Sequence, residues 1–221
     1  MCKTCRKIRN KYVFFILTVI VSCFFLSCSD SSLHLDSVFP VTVFDFKESG
    51  KNPSVFLAVT IKISSETQRI ASIKIKNEES GFCWFSDNPD FQLRKNQNEN
   101  DKSGYIYIKC SPSDFDGKLP CGNYSATVKD LGGNEVELSF YVEYDQKFLS
   151  LTDSGITDTV SAFSKYYALF SQNDDLLYYV KEQNIKTDSV FSVYRDAVYM
   201  RMCYVDSKET VVCIMPSVIK K

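Results

Sequence analysis

Apolar and polar residues alternate with a period of two through most of the chain from Ser37 to about Tyr144, and this constrains the fold more than any other feature. Val55, Leu57, Val59, Ile61 and Ile63 alternate with Thr60, Lys62 and Ser64. Ala71, Ile73 and Ile75 alternate with Ser72, Lys74 and Lys76. Tyr124, Ala126 and Val128 do so with Ser125, Thr127 and Lys129, and Val136, Leu138, Phe140, Val142 and Tyr144 with Glu135, Glu137, Ser139 and Glu143. A strand sends successive side chains to opposite faces, so this spacing puts one face on a core and the other in water. Half-buried antiparallel strands carry that pattern, and the β-branched and aromatic enrichment agrees with it. Between the last two runs, the glycines of Asp130-Leu-Gly-Gly-Asn134 can take the positive φ of a tight turn.

About seven short strands with no helical stretch between them predict a two-sheet sandwich. The segment Pro120-Cys-Gly-Asn-Tyr124, the turn Asp130…Gly133 and the closing alternating strand resemble the final hairpin of bacterial immunoglobulin-like domains. Trp84, in Phe82-Cys-Trp-Phe85, falls where such a domain has its core aromatic. The resemblance implies a mainly β chain, with an immunoglobulin-like antiparallel β-sandwich over residues 37–146.

Beyond Asp145 the character changes, with no Gly after Gly155 and Pro216 as the single late Pro. Ile156, Val160, Phe163, Tyr167 and Phe170 recur at helical spacing, with Asp153 or Ser154 as the cap. The same stretch also reads as a hairpin of Tyr166–Phe170 and Leu176–Val180 around Gln172-Asn-Asp-Asp175. At the tail, Val198, Met200, Met202 and Tyr204 alternate, and Val211, Cys213 and Met215 alternate back. Residues 147–221 are expected to form a small α+β or all-β unit packed on the sandwich or continuing it.

The amino terminus is an address. Met1–Lys11 holds Lys3, Arg6, Lys7, Arg9 and Lys11 and no acid, and a mostly apolar run follows from Tyr12 to Leu26. A basic start, a short apolar run and a small residue after it make a secretory signal peptide. That run is short for a spanning helix, which needs about 20 apolar residues. Phe25-Leu26-Ser27-Cys28 resembles a lipobox, where bacterial lipoproteins are cleaved and their new terminal Cys is lipidated. Phe25 departs from the aliphatic residue the motif prefers. Ile20-Val21-Ser22-Cys23 fits the motif better, but Phe-Phe-Leu follows Cys23, whereas the polar run Ser29-Asp30-Ser31-Ser32 follows Cys28. The expected lipid carrier is therefore Cys28, with Cys23 as the alternative. Residues 1–27 are then the signal peptide, 28–36 the tether, and the cell envelope the compartment, at the periplasmic face or cell surface. The membrane is the first partner, held through acyl chains at about 0.8 kcal/mol per buried CH₂.

Cleavage removes five of the 26 basic groups and none of the 27 acids, which leaves a net charge near −6. An acidic mature chain excludes a nucleic-acid partner, which requires a basic footprint. The only His is His34, in the tether, so multi-His metal sites and His-dependent catalysis are excluded or improbable, and no cofactor is implied. Eight Gly and no Gly-x-Ser-x-Gly or P-loop pattern leave no phosphate cradle or nucleophile elbow. Cys2-x-x-Cys5 lies in the segment that is cut off. An exported chain permits disulfides. Cys110 and Cys121 flank a short loop whose closure would contribute about 3 kcal/mol. Cys203 and Cys213 sit on the two arms of the last hairpin, and they face each other only if the turn is the odd-numbered Ser207-Lys-Glu209. Five small buried thiols, including Cys83, are an equal alternative. The acid groups Asp87-Asn-Pro-Asp90, Asp114-Phe-Asp116 and Asp174-Asp175 read as turn formers rather than Ca²⁺ ligands. Tyr105/Tyr107, Tyr166/Tyr167 and Tyr178/Tyr179 pack a sandwich or form a binding face. The expected function is a lipid-anchored binding or structural module for an envelope or host protein or glycan. The alternative is an envelope hydrolase, or its accessory subunit, using carboxylates.

Overall fold

Alternation becomes strand wherever one face meets apolar side chains of a second sheet. The computed structural model describes residues 33–63, 70–87, 89, 91–93, 104–112 and 118–220. Eight strands come first: β1 (Leu35–Asp45), β2 (Ser54–Ile63), β3 (Ile70–Asn77), β4 (Cys83–Asp87), β5 (Phe91–Leu93), β6 (Gly104–Cys110), β7 (Gly122–Asp130) and β8 (Glu135–Val142). Four more follow: β9 (Ser164–Phe170), β10 (Leu176–Lys181), β11 (Tyr199–Val205) and β12 (Val211–Ile219). The fold is mainly β, as the sequence predicts.

Two sheets hold these strands. The smaller runs β4-β3-β7-β8 and the larger runs β10-β9-β11-β12-β1-β2-β6-β5. The block β1-β2-β6-β5 facing β3-β7-β8 is the strand arrangement of an immunoglobulin-like sandwich, with β4 added at the edge. Val55, Leu57, Val59, Ile61 and Ile63 of β2 are buried, as are Ile73 and Ile75 of β3 and Tyr124, Ala126 and Val128 of β7. Burying each large aliphatic side chain contributes about 1.5–3 kcal/mol. Trp84 packs on this core between Phe82 and Tyr124, at centroid distances of 5.1 and 6.5 Å, and its Nε1 donates to Ser111 O.

The Pro-x-Gly-x-Tyr segment has a local cause. Tyr124 Oη donates back to Pro120 O at 2.6 Å, which fixes the corner entering β7. Gly122 has φ +123°, which side chains rarely adopt, and an added Cβ would lie 2.8 Å from Glu79 Oε1. At the other end of β7, Asp130 closes the turn by accepting from Asn134 N and Nδ2, both at 2.8 Å.

The carboxy-terminal part continues the larger sheet. β12 joins β1 in parallel, from Thr42 opposite Val211 to Asp45 opposite Ile214. β11, β9 and β10 then extend the sheet in antiparallel fashion. The predicted long helix is cut short. Helix α1 spans only Asp153–Thr159, and the hairpin reading takes Ser164–Lys181. Ile156 and Val160 enter the same core as Phe44 and Phe148. Asp153 ties α1 to the β1–β2 turn, accepting from Gly50 N and Ser49 Oγ, both at 2.7 Å. A second, smaller core of Tyr167, Leu169, Val190, Ala197 and Met200 lies under the extension. Arg201 clamps the seam between the two parts. Its Nη2 reaches Asp45 Oδ1 at 2.5 Å and its Nε donates to Met215 O at 2.8 Å. Leu33 and Leu35 are already buried, so the stretch read as tether enters the folded unit before residue 36.

Candidate functional site

Because β12 begins pairing with β1 only at Thr42, the sheet opens just before that point. A cleft of about 760 Å³ lies there, a volume that suits a small organic ligand. Four segments line it: Pro40 and Thr42 of β1, Tyr141–Asp145 at the end of β8, Ala162 and Phe163 before β9, and the turn from Asp206 to Val211.

Its floor is rigid. Thr42 is 2% exposed, and its N–H donates to Thr210 O at 2.8 Å. Tyr144 is buried and donates its hydroxyl to Leu119 O. Burial pushes its phenol up to about 12. The ring meets Phe44 edge-on at 5.4 Å; Phe44 packs on Phe148 at 5.1 Å, and Phe148 on Phe163 at 6.3 Å.

Two of the cleft's three carboxylates are structural. Asp206 accepts from Thr210 N at 2.7 Å, Val211 N at 2.8 Å and Thr210 Oγ1 at 3.2 Å, and so shapes the β11–β12 turn. Glu209 in that turn takes φ 58°. Asp145 accepts from Lys147 N at 3.0 Å and pairs with Lys147 Nζ at 2.9 Å. The Lys147 hydrogen bonds hold its carboxyl below the usual range.

Three other groups on the same walls are unengaged. Tyr141, 59% exposed, and Glu143 alternate outward around buried Val142. Lys208 projects from the facing turn. Among the described residues, none of these three side chains makes a hydrogen bond, ion pair or ring contact. The cleft thus presents an aromatic ring, a carboxylate and an ammonium that the fold does not use.

The described candidate residues singled out from the sequence line no part of this cleft. Cys28 and Cys23 fall outside the described residues, as do Asp90, Asp114 and Asp116. Cys83, Cys110, Cys121, Cys203 and Cys213 are all free thiols. A Cys203–Cys213 bridge is excluded by register. Cys203 lies opposite Ile214 and Cys213 opposite Tyr204, so the two thiols point to opposite faces of the sheet. Cys110 is buried at the end of β6, and Cys121 precedes β7 with its Sγ 3.5 Å from Gln146 Nε2. Asp174 and Asp175 build the β9–β10 turn, with Asp174 at φ 64° and Asp175 held by Ser171. His34 is exposed, 3.7 Å from Asp36.

The tyrosines divide between packing and surface. Tyr166 stacks on Tyr179 at 4.9 Å and Phe170 on Tyr199 at 4.8 Å, so these rings spend their faces on each other. Tyr107 is exposed on β6. Tyr141, not among the pairs singled out, is the ring at the cleft. Its only sequence signal is the outward phase of the β8 alternation, and nothing in the sequence places Lys208 on the same cleft. Among the described residues no three His, Cys, Asp or Glu side chains converge as a metal site, and no helix is long and apolar enough to cross a membrane. No protein-family model matches the chain, and no curated protein is similar to it.

Proposed function

We propose that this protein is a lipid-anchored cell-envelope lipoprotein whose sandwich serves as a binding module for an envelope or host protein or glycan. The observation that supports binding is the cleft at the β1–β12 seam, where Tyr141, Glu143 and Lys208 are unengaged among the described residues. Asp145 and Asp206, the other carboxylates there, are committed to holding turns, which favours recognition over carboxylate-based hydrolysis. The anchor is supported by the basic start, the apolar run and Ser27-Cys28 followed by a polar run.

Metabolic labelling with a palmitate analogue tests the anchor in the native host. The wild-type chain is expected to carry the label and to fractionate with membranes. Cys28→Ala should lose the label, and blocking lipoprotein signal-peptide cleavage should retain the longer precursor. An unlabelled wild-type chain, or a band unchanged by the inhibitor, would overturn the anchor.

A further inference from the structure

We infer that the cleft at the β1–β12 seam is a binding site for a neutral oligosaccharide. The inference rests on the binding-module reading and names the ligand class of that site. Size comes first. About 760 Å³ in an open cleft exceeds what a single ion needs and suits a ligand of a few sugar rings.

Charge comes second. With Asp145 and Asp206 occupied by the fold, the unengaged groups are one carboxylate, Glu143, and one ammonium, Lys208. A cationic ligand attracted by Glu143 would meet Lys208, and an anionic one attracted by Lys208 would meet Glu143. A neutral polyol satisfies both. Its hydroxyls donate to Glu143 and accept from Lys208, each bond strengthened by one ionised partner. Ser207, exposed in the same turn, offers a further hydroxyl.

The aromatic component is third. Tyr141 is more than half exposed and its ring stacks on no other described ring. One face is therefore available for the apolar C–H face of a sugar, as the self-stacked rings Tyr166/Tyr179 and Phe170/Tyr199 are not. A peptide added as a strand to the β8 edge fits less well, because β1 already packs alongside β8.

Calorimetric titration of the full-length protein in detergent tests this, with maltotriose, cellotriose and fully N-acetylated chitotriose as probes and trilysine as the charged control. At least one trisaccharide is expected to bind saturably, with affinity unchanged in about 1 M salt, where attraction between charges is screened within about 3 Å. Tyr141→Ala should weaken binding about tenfold. Glu143→Gln, which keeps an acceptor and loses the charge, should cost about threefold or less. Matched melting curves confirm that these surface variants remain folded. Absence of binding by every trisaccharide, unchanged binding in Tyr141→Ala, or salt-sensitive binding of trilysine alone would overturn the inference. Failure here with palmitate still on Cys28 removes the ligand and leaves the anchor standing.

Discussion

At the scale of single residues, the cysteines show how far position alone decides chemistry. Cys110 and Cys213 are 0% exposed and Cys203 5%, whereas Cys83 is exposed on β4 and Cys121 half-buried. Burial disfavours the thiolate and pushes Cys110 and Cys213 up to about 12 and Cys203 up to about 11. The thiolate is the reacting form, so at pH 8 those three present on the order of one reactive group in a thousand or fewer. Labelling of the native protein with iodoacetamide should therefore modify Cys83 first and Cys121 more slowly. The other three should become reactive only in denaturant. Mass spectrometry reads the order directly, and labelling of Cys203 at the rate of Cys83 would contradict the packing around it. Spacing left the Cys203–Cys213 pair open because the bridge depends on turn length. The longer turn, closed by Asp206 N to Val211 O at 3.1 Å, settled it by sending the two thiols to opposite faces.

Elements are where the cleft acquires its shape, and the β11–β12 turn is the part most exposed to a single change. The Asp206 carboxylate gathers donors from Thr210 and Val211 and holds Glu209 in a left-handed conformation. Asp206→Ala removes the acceptor and leaves those donors to water, which should cost about 1–3 kcal/mol in urea unfolding. Asp206→Asn keeps one acceptor oxygen and should lose less than half as much. Equal losses for the two variants would mean that the carboxylate does not organise the turn. Elements also mark what the sequence disclosed. β2, β3, β7 and β8 were legible because each exposes one face, so polarity alternates with direction. β9 was ambiguous because it is covered on both sides. Tyr166, Tyr167, Ala168, Leu169 and Phe170 are all apolar or aromatic, and periodicity cannot separate a buried strand from a helix. The cleft was not legible at all. Its walls come from four segments brought together by one parallel pairing between chain ends about 170 residues apart, for which no local pattern exists.

That pairing governs the whole molecule, because it makes the sandwich and the extension share one core. Phe44 and Phe46 are completely buried, and the cluster that covers them includes Phe148, Ile156, Val160, Val211, Cys213 and Met215. All six covering residues lie beyond residue 146. Removing residues 147–221 would uncover the apolar face of β1 and leave its backbone edge from Thr42 to Asp45 unpaired. Asp45, which is 8% exposed, would also lose Arg201, its ion-pair partner. Each large apolar side chain returned to water costs about 1.5–3 kcal/mol, while a domain of this size is stable by about 5–15 kcal/mol. The losses together exceed what the remaining sandwich can sustain. A chain ending at residue 146 should therefore fail to give a cooperative unfolding transition and should bind a hydrophobic dye. The complete chain should unfold its described residues in one transition, reported alike by Trp84 in the sandwich and by circular dichroism. A soluble 33–146 fragment that melts cooperatively would show that the sandwich carries its own core and that the seam is a docking contact. The cleft would then be a boundary between two domains, and a ligand bound there would hold them together.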